Sequence, residues 1–217
     1  LIVSSSALGQ IAHELKVKLD PESHRIEVVD NITLSPELLE SKQLHFAIHQ
    51  GLVPEVLDKD IELRKTIGAE AGRFFTDNPS LQQSSMKMEL FEVNLPEGTD
   101  QFTLKYAGEI YHPVQEYGEE YARSFSVSPG IISPEGIFLS GSTIWYPHFV
   151  DELVTFDLDV ELPAGWSSVS QGTRRKAEIG INFRRDVWMA DTPQEEIYLI
   201  SSMFTEYSQA AGVVEAM

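Results

Sequence analysis

Six histidines stand in a chain without cysteine, so metal chemistry has to rest on imidazole and carboxylate. His13-Glu14-Leu15-Lys16-Val17 begins like the helical zinc motif H-E-x-x-H, but Val17 occupies the place of the second histidine. Without two imidazoles one helical turn apart, an ion has no pair of ligands on one face. His45 and His49 have the right spacing for a helix, yet Leu44, Phe46 and Ile48 interleave with them at period two. On a strand, residues four apart lie roughly 13 Å from each other, too far to share an ion held by bonds of about 2 Å. They are expected as two surface histidines on one strand face. His24, His112 and His148 are isolated in sequence, so only the fold can bring them together. No metal ligand is predicted in this chain.

Other chemistries are no better represented. Gly165-Trp166-Ser167-Ser168-Val169 starts like a G-x-S-x-G nucleophile elbow and lacks the closing glycine. Gly68 and Gly72 form no phosphate loop, because no Gly-Lys-Ser/Thr follows. Asp157, Asp159 and Glu161 alternate with Phe156, Leu158 and Val160, the pattern of a solvated strand face and not of a calcium or acid–base site. Arg174, Arg175, Lys176, Arg184 and Arg185 concentrate positive charge, which reads as a salt-bridged hairpin. Asn31-Ile32-Thr33 is a glycosylation sequon, a triplet common by chance. Trp145-Tyr146-Pro147-His148-Phe149 is a dense aromatic cluster. Exposed, it would stack a sugar or grip a peptide; buried, it is a corner of the core, and the core is the favoured reading.

Composition narrows the classes further. The 217 residues carry 34 acidic and 16 basic side chains, a formal charge of −18. That balance opposes wrapping a phosphate backbone, and no nucleic-acid partner is expected. The absence of cysteine removes disulfides, thiol nucleophiles and iron–sulfur clusters, without fixing a compartment. No run of 18 or more apolar residues occurs, so no membrane span is expected. Hydrophobic residues make up 42% of the chain, enough for a core and too many for a disordered acidic tail.

Period-two alternation then supplies the elements. Leu15, Val17 and Leu19 share one face, as do Ile26, Val28, Ile32 and Leu34. The pattern recurs at Met86, Met88 and Leu90, at Phe102, Leu104 and Tyr106, and from Val154 to Leu162. Side chains two apart share a sheet face, so these are half-buried strands. Proline and glycine turns separate them, as at Pro96-Glu97-Gly98, Pro134-Glu135-Gly136 and Pro163-Ala164-Gly165. Pro36 to Glu40 is predicted as one helical turn capped by Ser35. The stretch from Gly68 to Ser85 is expected as a surface excursion between strands. The fold class is therefore all-β, a β-sandwich or open barrel of mostly antiparallel strands with few short helical turns.

Residues 1–12 are expected as an N-terminal extension. Leu1-Ile2-Val3 and the small residues after it suit the tail of a signal peptide, or else an ordinary first strand. A periplasmic, envelope or secreted location goes with the first alternative, a cytoplasmic one with the second. Gly212 to Met217 reads as a strand that stops in mid-pattern, so residues 13–217 are expected as a β domain that is a piece of a longer protein.

Several phrases stand in order: Leu19-Asp20-Pro21-Glu22-Ser23-His24-Arg25-Ile26; Leu44 to Ile48 leading to Leu52-Val53-Pro54-Glu55-Val56; and Leu104-Lys105-Tyr106-Ala107-Gly108-Glu109-Ile110. Trp145-Tyr146-Pro147, the run Phe156 to Trp166, Val169-Ser170-Gln171-Gly172 and Glu196-Ile197-Tyr198-Leu199 with Phe204 complete the series. Together they resemble the aminopeptidase N family of zinc metallopeptidases, in particular its divergent bacterial members. The resemblance covers nearly the whole chain and implies the amino-terminal domain of such enzymes, a saddle-shaped β-sandwich packed on a catalytic domain. It implies that zinc, the H-E-x-x-H ligands with a later glutamate, and the G-x-M-E-N motif belong to that following domain, which would be this chain's partner together with its peptide substrate. None of these motifs occurs here.

The family places a Gln or Glu for the substrate's amino group shortly before the phrase matching Trp145-Tyr146-Pro147. Here that stretch is Phe138-Leu139-Ser140-Gly141-Ser142-Thr143, which lacks both, and Glu135 is the nearest carboxylate but out of register. Glu135, Ser140, Ser142, Trp145 and Tyr146 are thus the candidates for a substrate cleft. The alternative to this noncatalytic domain is a free-standing sugar- or peptide-binding module that uses Trp145 and Tyr146.

Overall fold

The computed structural model describes residues 10–40, 44–77, 87–117, 125–207, 209–211 and 214–216. The signal-peptide reading of the first residues, and Gly212, Val213 and Met217, lie outside them. Strand β1 (Gln10–Asp20) begins three residues before the expected domain start. It is followed by β2 (Arg25–Thr33), α1 (Pro36–Leu39), β3 (Leu44–His49), β4 (Leu52–Val56), β5 (Glu62–Thr66) and α2 (Gly68–Asp77). Next come β6 (Met88–Asn94), β7 (Gln101–Glu109), β8 (Gln115–Tyr117), β9 (Phe125–Val127), β10 (Ile131–Ser133) and β11 (Gly136–Leu139). The remainder are β12 (Leu153–Pro163), β13 (Ser167–Val169), β14 (Thr173–Ile179), β15 (Phe183–Gln194), β16 (Leu199–Ser202), β17 (Gln209–Ala211) and β18 (Val214–Ala216).

The fold is all-β. A seven-stranded sheet runs β14-β15-β12-β1-β2-β7-β4, and smaller sheets run β10-β11-β16-β13 and β3-β6-β5. Pairing is antiparallel except that β1 lies parallel to β12, from Gln10↔Leu153 to Lys18↔Glu161. Alternation aims Leu15, Val17, Val28, Leu104, Phe156, Leu158 and Val160 inward, where they meet Phe46, Ile48, Val93, Ile137 and Leu199 of the smaller sheets in one core. Each fully buried side chain of this kind contributes roughly 1.5–3 kcal/mol. The opposite face of β12 carries Asp157 and Glu161 in solvent, and Lys18 reaches Glu161 across the parallel pair at 2.9 Å. The expected solvated face is there.

Helix α1 has its Ser35 cap, which accepts from the Leu38 amide at 3.3 Å. The reading of residues 68–85 as an excursion needs correction, because it opens with α2. Phe74 and Phe75 pack on Ala47 and Ile144, and this burial overrides two helix-disfavouring glycines. That helix also corrects the histidines of β3. They share one strand face as expected, but His45 lies against the Phe74 ring at 5.5 Å and His49 is buried, so neither is a surface residue.

Two polar clusters pass through the core. His13 Nδ1 and Asp30 Oδ2 are 2.9 Å apart with both side chains inaccessible. At the other end Asp186 is fully buried; its Oδ2 accepts from the Ser168 amide and hydroxyl, each at 2.9 Å, and its Oδ1 from Arg184 Nε at 2.7 Å. Trp188 Nε1 donates to the same Ser168 hydroxyl at 3.0 Å. The basic cluster is the expected salt-bridged hairpin. Arg174 grips Glu206 with two bonds of 2.8 and 2.7 Å, Arg184 adds a third at 2.9 Å, and Arg185 pairs with Asp159.

Candidate functional site

Of the cleft candidates, Ser140, Ser142, Trp145 and Tyr146 fall on a tight loop after β11. Ser140 opens a 3-10 turn, Gly141–Thr143, which its neighbours hold shut: the Ser140 amide donates to Thr143 Oγ1 at 3.0 Å, and that hydroxyl donates to Pro129 O at 2.6 Å. The turn ends on Ile144 at φ 53, a left-handed conformation that a β-branched residue adopts at a cost of about 1–3 kcal/mol. Its amide donates to Gly141 O at 2.9 Å, its carbonyl accepts from His49 N at 2.8 Å, and its side chain is buried. The surroundings therefore fix the strained residue.

Trp145 and Tyr146, directly after, are core side chains, 0% and 1% exposed. Trp145 Nε1 donates to Ile197 O at 3.1 Å, and the Tyr146 hydroxyl accepts from Ile197 N at 3.2 Å. Burial pushes the Tyr146 phenol well above its ordinary pKa. Stacking a sugar or peptide needs an open ring face, and neither ring has one, so the sandwich-module alternative loses the residues it was built on. Glu135 stands in the turn at the far end of β11 from Ser140, exposed, and held below its ordinary pKa by Ser133. The four residues of β11 separate the two, so that they stand five steps or roughly 16 Å apart and Glu135 does not join the loop.

A different carboxylate does. Glu196 Oε2 accepts from the Gly141 amide at 2.5 Å, and Oε1 from the Tyr198 hydroxyl at 2.5 Å. A Cβ on Gly141 would lie 2.3 Å from that Oε2, so the glycine is what lets the carboxylate approach. Gln171 bonds both sides of the segment, donating to Glu196 O at 2.8 Å and accepting from Tyr198 N at 2.9 Å. Ser170 Oγ donates to Tyr198 O at 2.7 Å. The bond to Glu196 raises the Tyr198 pKa, as expected for a phenol donating to a carboxylate. Ser140 and Ser142 hydroxyls sit 2.8 Å from each other at the rim, Ser142 exposed. The result is an oriented, half-exposed carboxylate held against the turn that carries the two serines. In the sequence Glu196 and Tyr198 belong to the phrase that resembles a closing strand, which here begins only at Leu199, and nothing local ties Glu196 to a loop 55 residues earlier.

Among the described residues, no group of three His, Asp or Glu could hold a metal ion. Among them, too, no helix is long and apolar enough to cross a membrane.

No family model and no curated protein matches the chain. Solved structures do. The chain is similar to Legionella pneumophila aminopeptidase A, determined in complex with aspartic acid, with 10% identity and a TM-score of 0.51, covering 93% of this chain and 22% of that one. It is similar as well to an M1 zinc metallopeptidase of Deinococcus radiodurans: a mutant bound to a Tyr-Ser-Ala substrate matches at 14% identity, TM-score 0.49, over 96% of this chain and 45% of that one. Another structure of the Deinococcus enzyme gives 17% identity and a TM-score of 0.46. The chain thus spans less than half the length of these neighbours, and the likeness to aminopeptidase A is one of fold.

Proposed function

We propose that this chain is the noncatalytic β domain of a zinc aminopeptidase-like protein, bracing a catalytic domain and bordering its substrate cleft. The observation that carries the reading is the overlay on aminopeptidase A, nearly complete for this chain and about a fifth of the other. The ordered family phrases in the sequence support it. Zinc and the peptide substrate belong, in this reading, to the catalytic neighbour, and an envelope or secreted setting goes with it.

Glu196 then takes the place of the Gln or Glu missing before Trp145. Its carboxylate reaches the same stretch of chain from the connection between β15 and β16, and each oxygen accepts one protein donor and keeps lone-pair capacity for an ammonium group. The bracing face is the groove of about 720 Å³ that includes Val169, Trp188, Phe204 and Tyr207, where Val169, Phe204 and Tyr207 stand exposed. Such a patch suits a partner domain.

The test has two arms. The 217-residue chain alone is expected to bind no stoichiometric zinc and to hydrolyse no aminoacyl-arylamide; one zinc per chain with turnover would end the proposal. In the longer protein, Glu196→Gln is expected to raise KM at least tenfold for peptides with a free amino group and to leave N-blocked substrates unaffected. An unchanged KM would remove Glu196 from the reading.

A further inference from the structure

Two imidazoles that no functional reading uses meet at one corner of the molecule. The Gly51 amide donates to His49 Nδ1 at 3.0 Å, so a neutral His49 carries its proton on Nε2. That Nε2 lies 3.0 Å from His112 Nε2. The ring centroids are 5.2 Å apart with planes at 77°, so the rings meet almost head-on, as in a hydrogen bond, and do not converge on a shared ion. His49 therefore donates to His112 Nε2, and His112 keeps its own proton on Nδ1. Every ring nitrogen is now assigned. A further proton on His49 Nδ1 expels the Gly51 amide, and one on His112 Nε2 sets N–H against N–H.

We propose that the His49–His112 contact is an acid-sensitive latch: it holds the β3–β4 corner against the segment that follows β7, and uptake of one proton opens it. The β4–β7 ladder ties the corner to β7 as far as Gly108, and beyond it the two sides are anchored to different neighbours. His49 N bonds to Ile144 O and Gln50 N to Lys87 O, whereas His112 N bonds to Gly130 O and its carbonyl accepts from Ser128 Oγ. His49 is 3% exposed. Among the described residues the titratable group bearing on it is His112, and no carboxylate from β4, β6, the 140–150 loop or the segment after β7 pairs with either ring. Glu109 contributes only its backbone carbonyl near Gly51. The His24 and Tyr111 rings, next along, lie against each other at 4.1 Å with their planes tilted by 32°, and His24 Nδ1 is bonded to Ile132 O at 2.6 Å. Burial, then the neighbouring imidazole, depress the His49 pKa to about 4, and burial lowers that of His112. The closed latch is thus the neutral form.

Imidazole nitrogen NMR on the 217-residue chain tests this. At pH 7 His49 is expected as the Nε2–H tautomer and His112 as Nδ1–H, the minor form of free histidine. On acidification both rings and the Gly51 and Gly130 amides should shift in one step below the ordinary histidine range, while the buried Trp145 indole signal stays in place. His112→Gln keeps an acceptor for His49 but removes the neighbouring imidazole that lowers its pKa, so the step of the Gly51 amide should move to higher pH. His112 found as Nε2–H at pH 7, rings titrating independently with Gly51 unmoved, or a step left at the same pH in the variant would each overturn the proposal. The tautomer readout needs no variant to fold.

Discussion

At the scale of single residues, Asp186 is a charge placed inside where donors surround it. It is fully buried and accepts three hydrogen bonds. Removing the carboxylate leaves the Ser168 amide and one Arg184 donor buried without an acceptor. Asp186→Ala is therefore expected to lower the unfolding free energy by about 3–5 kcal/mol in urea denaturation, and Asp186→Asn by clearly less, since one oxygen survives. A loss under about 1 kcal/mol for the alanine variant contradicts the network. His49 gives a pH dependence of definite sign. Its folded pKa of about 4 lies below the ordinary 6.5, so between these values the unfolded chain binds the extra proton. Stability from this ring is complete above pH 6.5 and is lost on acidification toward pH 4, by up to about 3 kcal/mol. His49→Asn, which keeps an acceptor for the Gly51 amide, should flatten the stability–pH slope in that window relative to the parent chain.

At the scale of elements, closeness of backbones decides what is tolerated. Strand β4 crosses β7 so tightly that a Cβ on Gly108 would lie 1.7 Å from Gly51 O. Gly108→Ala must push β4 off its ladder and is expected to cost at least 1–3 kcal/mol, read as a lower urea midpoint. An unshifted midpoint would mean that the corner gives way freely. These elements were largely legible in the sequence: alternation in Leu15-Val17-Leu19 and Phe156-Leu158-Val160 marked strand and inner face together, and Ser35-Pro36 marked a helix start. Helix α2 was not, since Gly68 and Gly72 signal a loop and its two phenylalanines count only once Ala47 and Ile144 offer a surface. Glu196 and the His49–His112 pair were illegible for the same reason, as each depends on partners at least 55 positions away. Nor does alternation say which strand pairs with which.

At the scale of the whole molecule, the −18 charge is spread over a compact body. Self-repulsion at low ionic strength outweighs the exposed ion pairs, each worth about 0–1 kcal/mol. Raising salt from about 0.01 to 0.1 M, which shortens the screening length from about 30 to 10 Å, is expected to raise the melting temperature. A falling melting temperature would show that surface pairs dominate. The parallel ladder between β1 and β12 has a consequence in time. Gln10 meets Leu153, so during synthesis the first strand leaves the ribosome long before its neighbour exists. Closing so wide a loop is slow, and until then β2 alone shields one flank of it. The nascent chain must wait with one edge of this apolar ribbon open, a state in which unpaired strand edges favour aggregation.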